Sequence, residues 1–404
     1  MANNRKSLGE IFRPTESKLV TSGQPMTGQG GNTVNIAQAI DLSLPIRGLR
    51  LVFKGRLVIG TAAFTSGTPE GFLNLIQDIK VFGTNARQKG NVTLWDLDLA
   101  TLWTMQHLFG NRAASFTIST TGVGGETFVP KPTTPFPANG ASGYFNVATG
   151  TYDWRIVVDI PFAPFKAHGF GKQPLVVPGF LVRNEEWKDS LQVQIQFGSQ
   201  SGNSTGSLGV AAATTTVTFS SYGSGSGTPT VDLYSLPVVM GLDLKDTVLP
   251  GVCSRVQSPI NTVLQAAGTN AVLANLQKQP TMRVIVKTGT TTVGAVAPAF
   301  ATLSDTNVTA SGILLGGNRN VRNKVDIFAH KQQQPDTYDT DPIQGYLVHD
   351  FQHSGNPDSA YPGQDVGDGA AFQLLSDVTG VANAFGIVVQ EQILHLPTGD
   401  LYTY

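Results

Sequence analysis

Cysteine is almost absent from this chain of 404 residues: Cys253 stands alone, so no disulfide can form within it. Stability must therefore come from burial or from assembly, and Cys253 itself is expected to be a packed small hydrophobe rather than a nucleophile. Charge is scarce as well. Asp, Glu, Lys and Arg make up 14% of the chain and the net charge is −1, whereas about 25% charged residues is usual in soluble proteins. A surface this weakly self-repelling suits close packing against other protein copies, since charge is depleted at the centres of interfaces. A neutral secreted β-protein with long loops would share the composition. No run of about 18 apolar residues exists, so no membrane-spanning helix is expected. The opening MANNRKSLGEIFRP has no apolar h-region, so no secretory signal is expected and the chain should be made and kept inside a cell. It has no basic stripe, and direct nucleic-acid binding is not expected.

What is present is mostly β pattern. At roughly 150 residues per domain, the length predicts two or three domains, with two as the starting expectation. Residues 1–31 read as an arm, with Arg5, Lys6, Arg13 and Lys18 set among Leu8, Ile11 and Phe12 and a flexible TSGQPMTGQGG exit. From Ile40 the residues Ile40, Leu42 and Leu44 alternate with polar ones, and LRLVFKGRLVIG continues as a long strand. LNLIQDIKVFGTN, VTLWDL, ASFTIST, TYDWRIVVDIPF, LQVQIQFG, TTTVTFSS and VDLYSLPVVM extend the strand series. One helix interrupts it: Asp98 can cap, Leu99, Leu102, Trp103, Met105 and Phe109 supply an apolar side, and Gly110 stops it. Long Gly-, Ser-, Thr- and Pro-rich loops lie between the strands, and such loops are uncommon unless functional or in contact with a partner. GLDLKDTVLPGVCSRVQSP, residues 241–259, reads as a connector.

Beyond the connector the chain repeats itself. LRLVFKG begins at Leu49 and MRVIVKTG at Met282. KVFGTN ends a strand with Gly83 and Asn85, and ILLGGN ends one with Gly316 and Asn318; Leu49 to Gly83 and Met282 to Gly316 are both 34 residues. Val272, Ala274 and Leu276 mirror the alternation of Ile40, Leu42 and Leu44, and GYLVHDF, FQLLSDV and FGIVVQEQIL complete a second β-unit. The reading is an internal duplication whose period is a whole domain rather than a solenoid repeat. Each copy is expected to be an all-β sandwich of about eight strands, the first with the extra helix and longer loops. The expected organisation is an N-terminal arm over 1–31, a first unit over 32–245, and a connector with a second unit over 246–404.

In the basic arm, AIDLSLPIRGLRLVFKGRLVIG followed by LNLIQDIKVFG, the helix, and the second unit ending in FGIVVQEQILHLP, the chain resembles the double jelly-roll major capsid proteins of tailless icosahedral viruses, the PRD1/adenovirus-type lineage. The resemblance covers nearly the whole chain and rests on order and pattern, with no short motif to carry over site residues. It implies two eight-stranded jelly rolls side by side, three chains forming a trimer of pseudo-sixfold outline, and self-assembly into a virion shell as the activity. It also implies the chain itself as main partner, with vertex or minor capsid proteins and an internal membrane reached by the arm as others, and synthesis in the host cytoplasm. A duplicated sandwich gives one chain two nearly equivalent lateral faces, which closed symmetry can repeat.

Enzyme-like groupings are weak. His349, Asp350 and His353 in HDFQH would suit a metal on a helix, but GYLVHDFQH alternates like a strand, where residues four apart sit about 13 Å apart. Asp336, Asp339 and Asp341 could curl around calcium, yet the stretch lacks the glycine and terminal glutamate of an EF-hand loop. GFGKQP at Gly169–Pro174 lacks the spacing of a phosphate loop. The sequons at Asn91, Asn203 and Asn307 carry little meaning without secretion. Glu185, Glu186 and Glu391 are the carboxylates a glycosidase could use, but nothing pairs them. No catalytic, cofactor or metal site is therefore assigned. The alternative to a capsid protein is a carbohydrate-binding or adhesive β-sandwich, spike or lectin-like, presenting Tyr144, Phe145 or Tyr222 on loops.

Overall fold

A computed structural model describes residues 12–14, 16–26, 33–36, 38–60, 64–65, 70–85, 90–109, 114–120, 127–128, 146–147, 149–162, 181–182, 187, 191–198, 217–240, 252–264, 266–277, 281–291, 300–315, 319–332, 342–351 and 372–394. The first half contains β1 (Phe12–Pro14), β2 (Lys18–Pro25), β3 (Thr33–Ile36), β4 (Ile46–Ile59), β5 (Phe64–Thr65), β6 (Ile76–Asn85), β7 (Gly90–Leu97), helix α1 (Leu99–Phe109), β8 (Ala114–Thr120), β9 (Thr127–Phe128), β10 (Asn146–Val147), β11 (Gly150–Pro161), β12 (Gln192–Phe197), β13 (Val217–Ser220) and β14 (Thr230–Met240). The second contains β15 (Val252–Val263), β16 (Gly268–Asn275), β17 (Thr281–Thr291), β18 (Phe300–Leu303), β19 (Val308–Leu315), β20 (Arg319–Asp326), helix α2 (Ile327–Gln332), β21 (Tyr346–Asp350), β22 (Phe372–Val378) and β23 (Ala384–Leu394).

The two halves share one topology. In the first, β2, β14, β4 and β11 lie side by side in one sheet, while β3, β12, β6 and β7 form the other. In the second, the orders are β15–β23–β17–β21 and β16–β22–β19–β20. Chain order matches strand for strand, and a helix follows the fifth member in each. LRLVFKG lies in β4 and MRVIVKTG in β17. These occupy the same place in their sheets, so the repeated phrase marks equivalent strands. KVFGTN closes β6, whose counterpart β19 carries ILL; Gly316 and Asn318 lie outside the described residues.

Alternation builds both cores. Along β4, Leu49, Leu51, Phe53, Leu57 and Ile59 point inward, and Arg50, Val52, Lys54 and Arg56 stand on the other face. Phe53 meets Phe197 of the opposite sheet edge-on at 6.3 Å between ring centroids. A second cluster, including Leu273, Val284, Val286, Ile313, Leu374 and Val388, fills the second copy. One feature joins them: β15 runs parallel to β7, so the β6 sheet and the β17 sheet form one continuous sheet.

Several expectations differ from what is observed. Phe12–Pro14 and Lys18–Pro25, inside the expected arm, pair with β14; β2 reads poorly as a strand because it is mostly exposed and carries few apolar residues. Residues 40–44 are not strand, although Ile40 and Leu42 are buried, and β16 shifts register between Val272 and Ala274, which buries Leu273 and leaves Val272 exposed. β15 begins at Val252, within the expected connector. A helix follows the fifth strand in both copies, not the first alone. The predicted helix itself starts where Asp98 caps it, its Oδ1 accepting the Thr101 N–H at 2.5 Å. All eleven of its residues are buried rather than one side, as expected of a helix enclosed by protein.

Candidate assembly interface

The β17 strand is buried on both faces, and each face belongs to a different core. Val284 and Val286 pack into the second jelly roll, whereas Ile285 joins the cluster of the first, together with Tyr346, Val348, Ile387 and Val389 from β21 and β23. The sheet is thus the wall between the two units, and its far side meets the corner where β7 turns into α1.

Two basic side chains of the repeated phrase point into this wall. The Arg283 Nε donates to Asp350 Oδ2 at 2.9 Å and its Nη1 donates to Glu391 Oε2 at 2.6 Å. Its guanidinium lies 4.3 Å from the ring centroid of Phe109, at the end of α1. The Lys287 Nζ donates to Asp98 Oδ2 at 3.1 Å and also pairs with Glu70, both from the first jelly roll. Asp98 therefore does two things: one oxygen caps α1 and the other holds a lysine of the second unit. Burial opposes the Lys287 charge, but Asp98 and Glu70 outweigh it and hold the ammonium above its ordinary range. Burial pushes the Glu70 carboxyl up, Lys287 working against it. It also raises the Tyr346 phenol, beside the same cluster.

In the first copy the same positions are built differently. Arg50 makes a bidentate pair with Asp159, at 2.6 and 2.9 Å. This is the counterpart of Arg283 with Asp350, since both pairs sit directly across neighbouring strands of the same rank. Lys54 pairs with Asp232 at 2.6 Å and Arg56 with Asp153 at 2.8 Å. The Arg50 and Lys54 side chains remain 39% and 31% exposed, against 0% and 1% for Arg283 and Lys287. The duplicated ion pairs thus mark a covered face in one copy and an uncovered one in the other.

The residues weighed for chemistry are scattered. His349 is buried in β21, 2.9 Å from Ser311 Oγ, with the ring of His330 at 5.0 Å. Asp350 and Glu391 both hold Arg283, and the Glu391 side chain is fully buried. Tyr222 lies against the Arg155 guanidinium at 4.5 Å. His353, Asp336, Asp339, Asp341, Glu185, Glu186, Tyr144, Phe145 and Gly169–Pro174 lie outside the described residues. Among the described residues no group of three or more His, Cys, Asp or Glu could hold a metal ion, and no helix is long and apolar enough to cross a membrane. Sequence reasoning missed Glu70, Arg283 and Lys287 and saw Asp98 only as a cap. The signal was available: a strand of apolar residues carried an Arg and a Lys at the same places in both copies.

No family model matches the chain, and no curated protein does. Solved structures do. The major capsid protein of Sulfolobus Turreted Icosahedral Virus aligns with a TM-score of 0.54 and 14% identity over 96% of this chain and 97% of that one. VP54 of PBCV-1 gives 0.53 and 12%, covering 97% and 95%. The major capsid protein of bacteriophage PM2 gives 0.50 and 11%, covering 95% and 100%. This chain has the double jelly-roll fold of viral major capsid proteins. The double jelly roll spans nearly all of each partner, so the likeness is to whole proteins and not to a shared sandwich module. At such identities the match rests on topology, which is what the strand-by-strand duplication supplies.

Proposed function

We propose that this chain is a structural major capsid protein whose activity is self-assembly, through trimers of pseudo-hexagonal outline, into an icosahedral virion shell. The observation that carries the reading is the pair of topologically identical jelly rolls joined in one continuous sheet, an architecture matched over 95–97% of the chain by capsid proteins. Two like units with like lateral faces make three chains present six similar faces, which a closed ring can repeat. We assign it no catalytic role. The capsid-protein neighbours lend the sugar-binding alternative no support, and of its aromatic residues the described one, Tyr222, lies against Arg155. We keep the expected divisions near residues 31 and 246, with β1 and β2 of the arm pairing with β14 of the first jelly roll. That arm is the part offered to neighbouring subunits, minor capsid proteins or an internal membrane, with synthesis in the host cytoplasm.

The mass in solution tests this. The purified chain of 42.8 kDa should run as a trimer of about 128 kDa, three times the chain mass. A monomer that persists at every concentration would overturn the reading.

A further inference from the structure

One chain already contains an example of how two of its jelly rolls meet. The far face of the β17 sheet, with Arg283 and Lys287, is covered by the β7–α1 corner of the other unit. The far face of the β4 sheet is the same surface made a second time, with Arg50 and Lys54 at the equivalent places, each about a third exposed. Within the chain, the described residues offer it no such corner.

The corner is also made twice. In the second copy it is the junction of β20 and α2. Asp326 stands there much as Asp98 does in the first: it is the last residue of the fifth strand, where Asp98 directly follows its own, and its Oδ1 accepts the N–H groups of Phe328 at 2.9 Å and Ala329 at 3.2 Å. Asp98 spends one oxygen on its helix and the other on Lys287; Asp326 is exposed. Beside it Phe328 is 57% exposed, the most exposed of the large apolar side chains described, whereas α1 sets its own Phe109 on Arg283.

We infer that the β4-sheet face of one chain, around Arg50 and Lys54, receives the β20–α2 corner of a second copy, with Lys54 pairing to that copy's Asp326 as Lys287 pairs to Asp98 within the chain. The partner is a second copy because the internal seam supplies the template for both halves of the contact, and because Lys54 meets one carboxylate, Asp232, where Lys287 meets two, Glu70 and Asp98, which leaves Asp326 of the corner the place of the second. Face and corner are unlike surfaces, so the contact is head-to-tail and closes into a ring when the rotation permits. On assembly, Arg50 and Lys54 pass into the buried state of Arg283 and Lys287. The inference rests on the proposed self-assembly and adds to it which surfaces touch.

Charge exchange tests it on the full chain. Lys54→Glu and Asp326→Lys, each alone, should raise the concentration at which trimers fall apart by about tenfold or more, as expected for a close interfacial charge pair. The double variant Lys54→Glu/Asp326→Lys should recover most of the loss. Because Asp326 also caps α2, Asp326→Asn, which keeps a good cap, should weaken the trimer while the thermal melt of the dissociated chain stays unchanged. Carbodiimide coupling of the wild-type trimer should join Lys54 of one chain to Asp326 of another. Trimers of wild-type strength in every variant would overturn this interface and leave self-assembly standing, as would a folded double variant no better than the single ones. A wild-type chain that never trimerises would overturn both.

Discussion

Lys54 and Lys287 hold the same place in two copies of one fold, each on the strand that carries the repeated phrase, yet their surroundings are opposite. Lys287 is enclosed between two units and meets two carboxylates of its neighbour; Lys54 lies on an open sheet face and meets Asp232 of its own unit. Two units of one topology thus carry the same face and the same charge, and only one of the two faces is enclosed. Enclosure, not sequence, sets what each lysine is worth. Removing one member of a buried ion cluster strands the others without water, at about 3–5 kcal/mol, whereas partly exposed pairs contribute about 0–1 kcal/mol. Lys287→Ala should therefore destabilise the chain by about 3–5 kcal/mol in chemical denaturation and Lys54→Ala by less than about 1 kcal/mol, both measured on dissociated chains. Equal losses would break the comparison.

A second contrast concerns protons. In the first copy Asp78 of β6 sits near Asp96 of β7, and burial, with the Asp96 charge next, pushes its carboxyl up to about 8. The position 233 residues on, the offset from Leu49 to Met282, is Ser311, a hydroxyl bonded to His349. Unfolded, Asp78 titrates near 4. Between about pH 4 and 8 the folded chain keeps a proton that the unfolded chain has released, so stability falls across that window and stays low above it. Asp78→Asn, neutral at every pH, should remove the decline, leaving a variant more stable than wild type at pH 9 by up to about 5–6 kcal/mol, about four pH units at about 1.4 kcal/mol each. At pH 4 the two should be nearly equal. Parallel stability profiles from pH 4 to 9 would show that the first copy has no such proton.

How far these contrasts were legible in the sequence depended on burial. Leu49, Leu51 and Phe53 alternate because one face of β4 is core, and the same rule exposed the second copy at Met282. Asp98 announced its helix, since a cap is a local device. β2 and β20 were not legible: KLVTSGQP and RNVRNKVD are polar stretches at sheet edges, where pairing comes from the neighbouring strand and not from apolar pattern. The seam was half legible. Arg283 and Lys287 were visible as repeated basic residues, but Glu70 and Asp98 are 217 and 189 residues from Lys287, and only the fold brings them together.

Short distance alone does not make a strong pair, and the exposed end of the first jelly roll shows why. Lys18 of β2 lies 2.5 Å from Asp41, closer than Lys54 to Asp232, but the two side chains are 60% and 47% exposed. The Lys18 hydrogen bond, with the Ser43 N–H, holds the Asp41 carboxyl down to about 2. Because the folded value is depressed, its stabilisation is present above about pH 4 and is lost as pH falls toward 2. Water and salt screen a pair this open, so Lys18→Ala should cost no more than about 0.5 kcal/mol at pH 7, and added salt should erase even that. A loss near that of Lys287→Ala would mean that β2 is held in the first jelly roll by this contact, rather than by its backbone pairing with β14 and the burial of Met26.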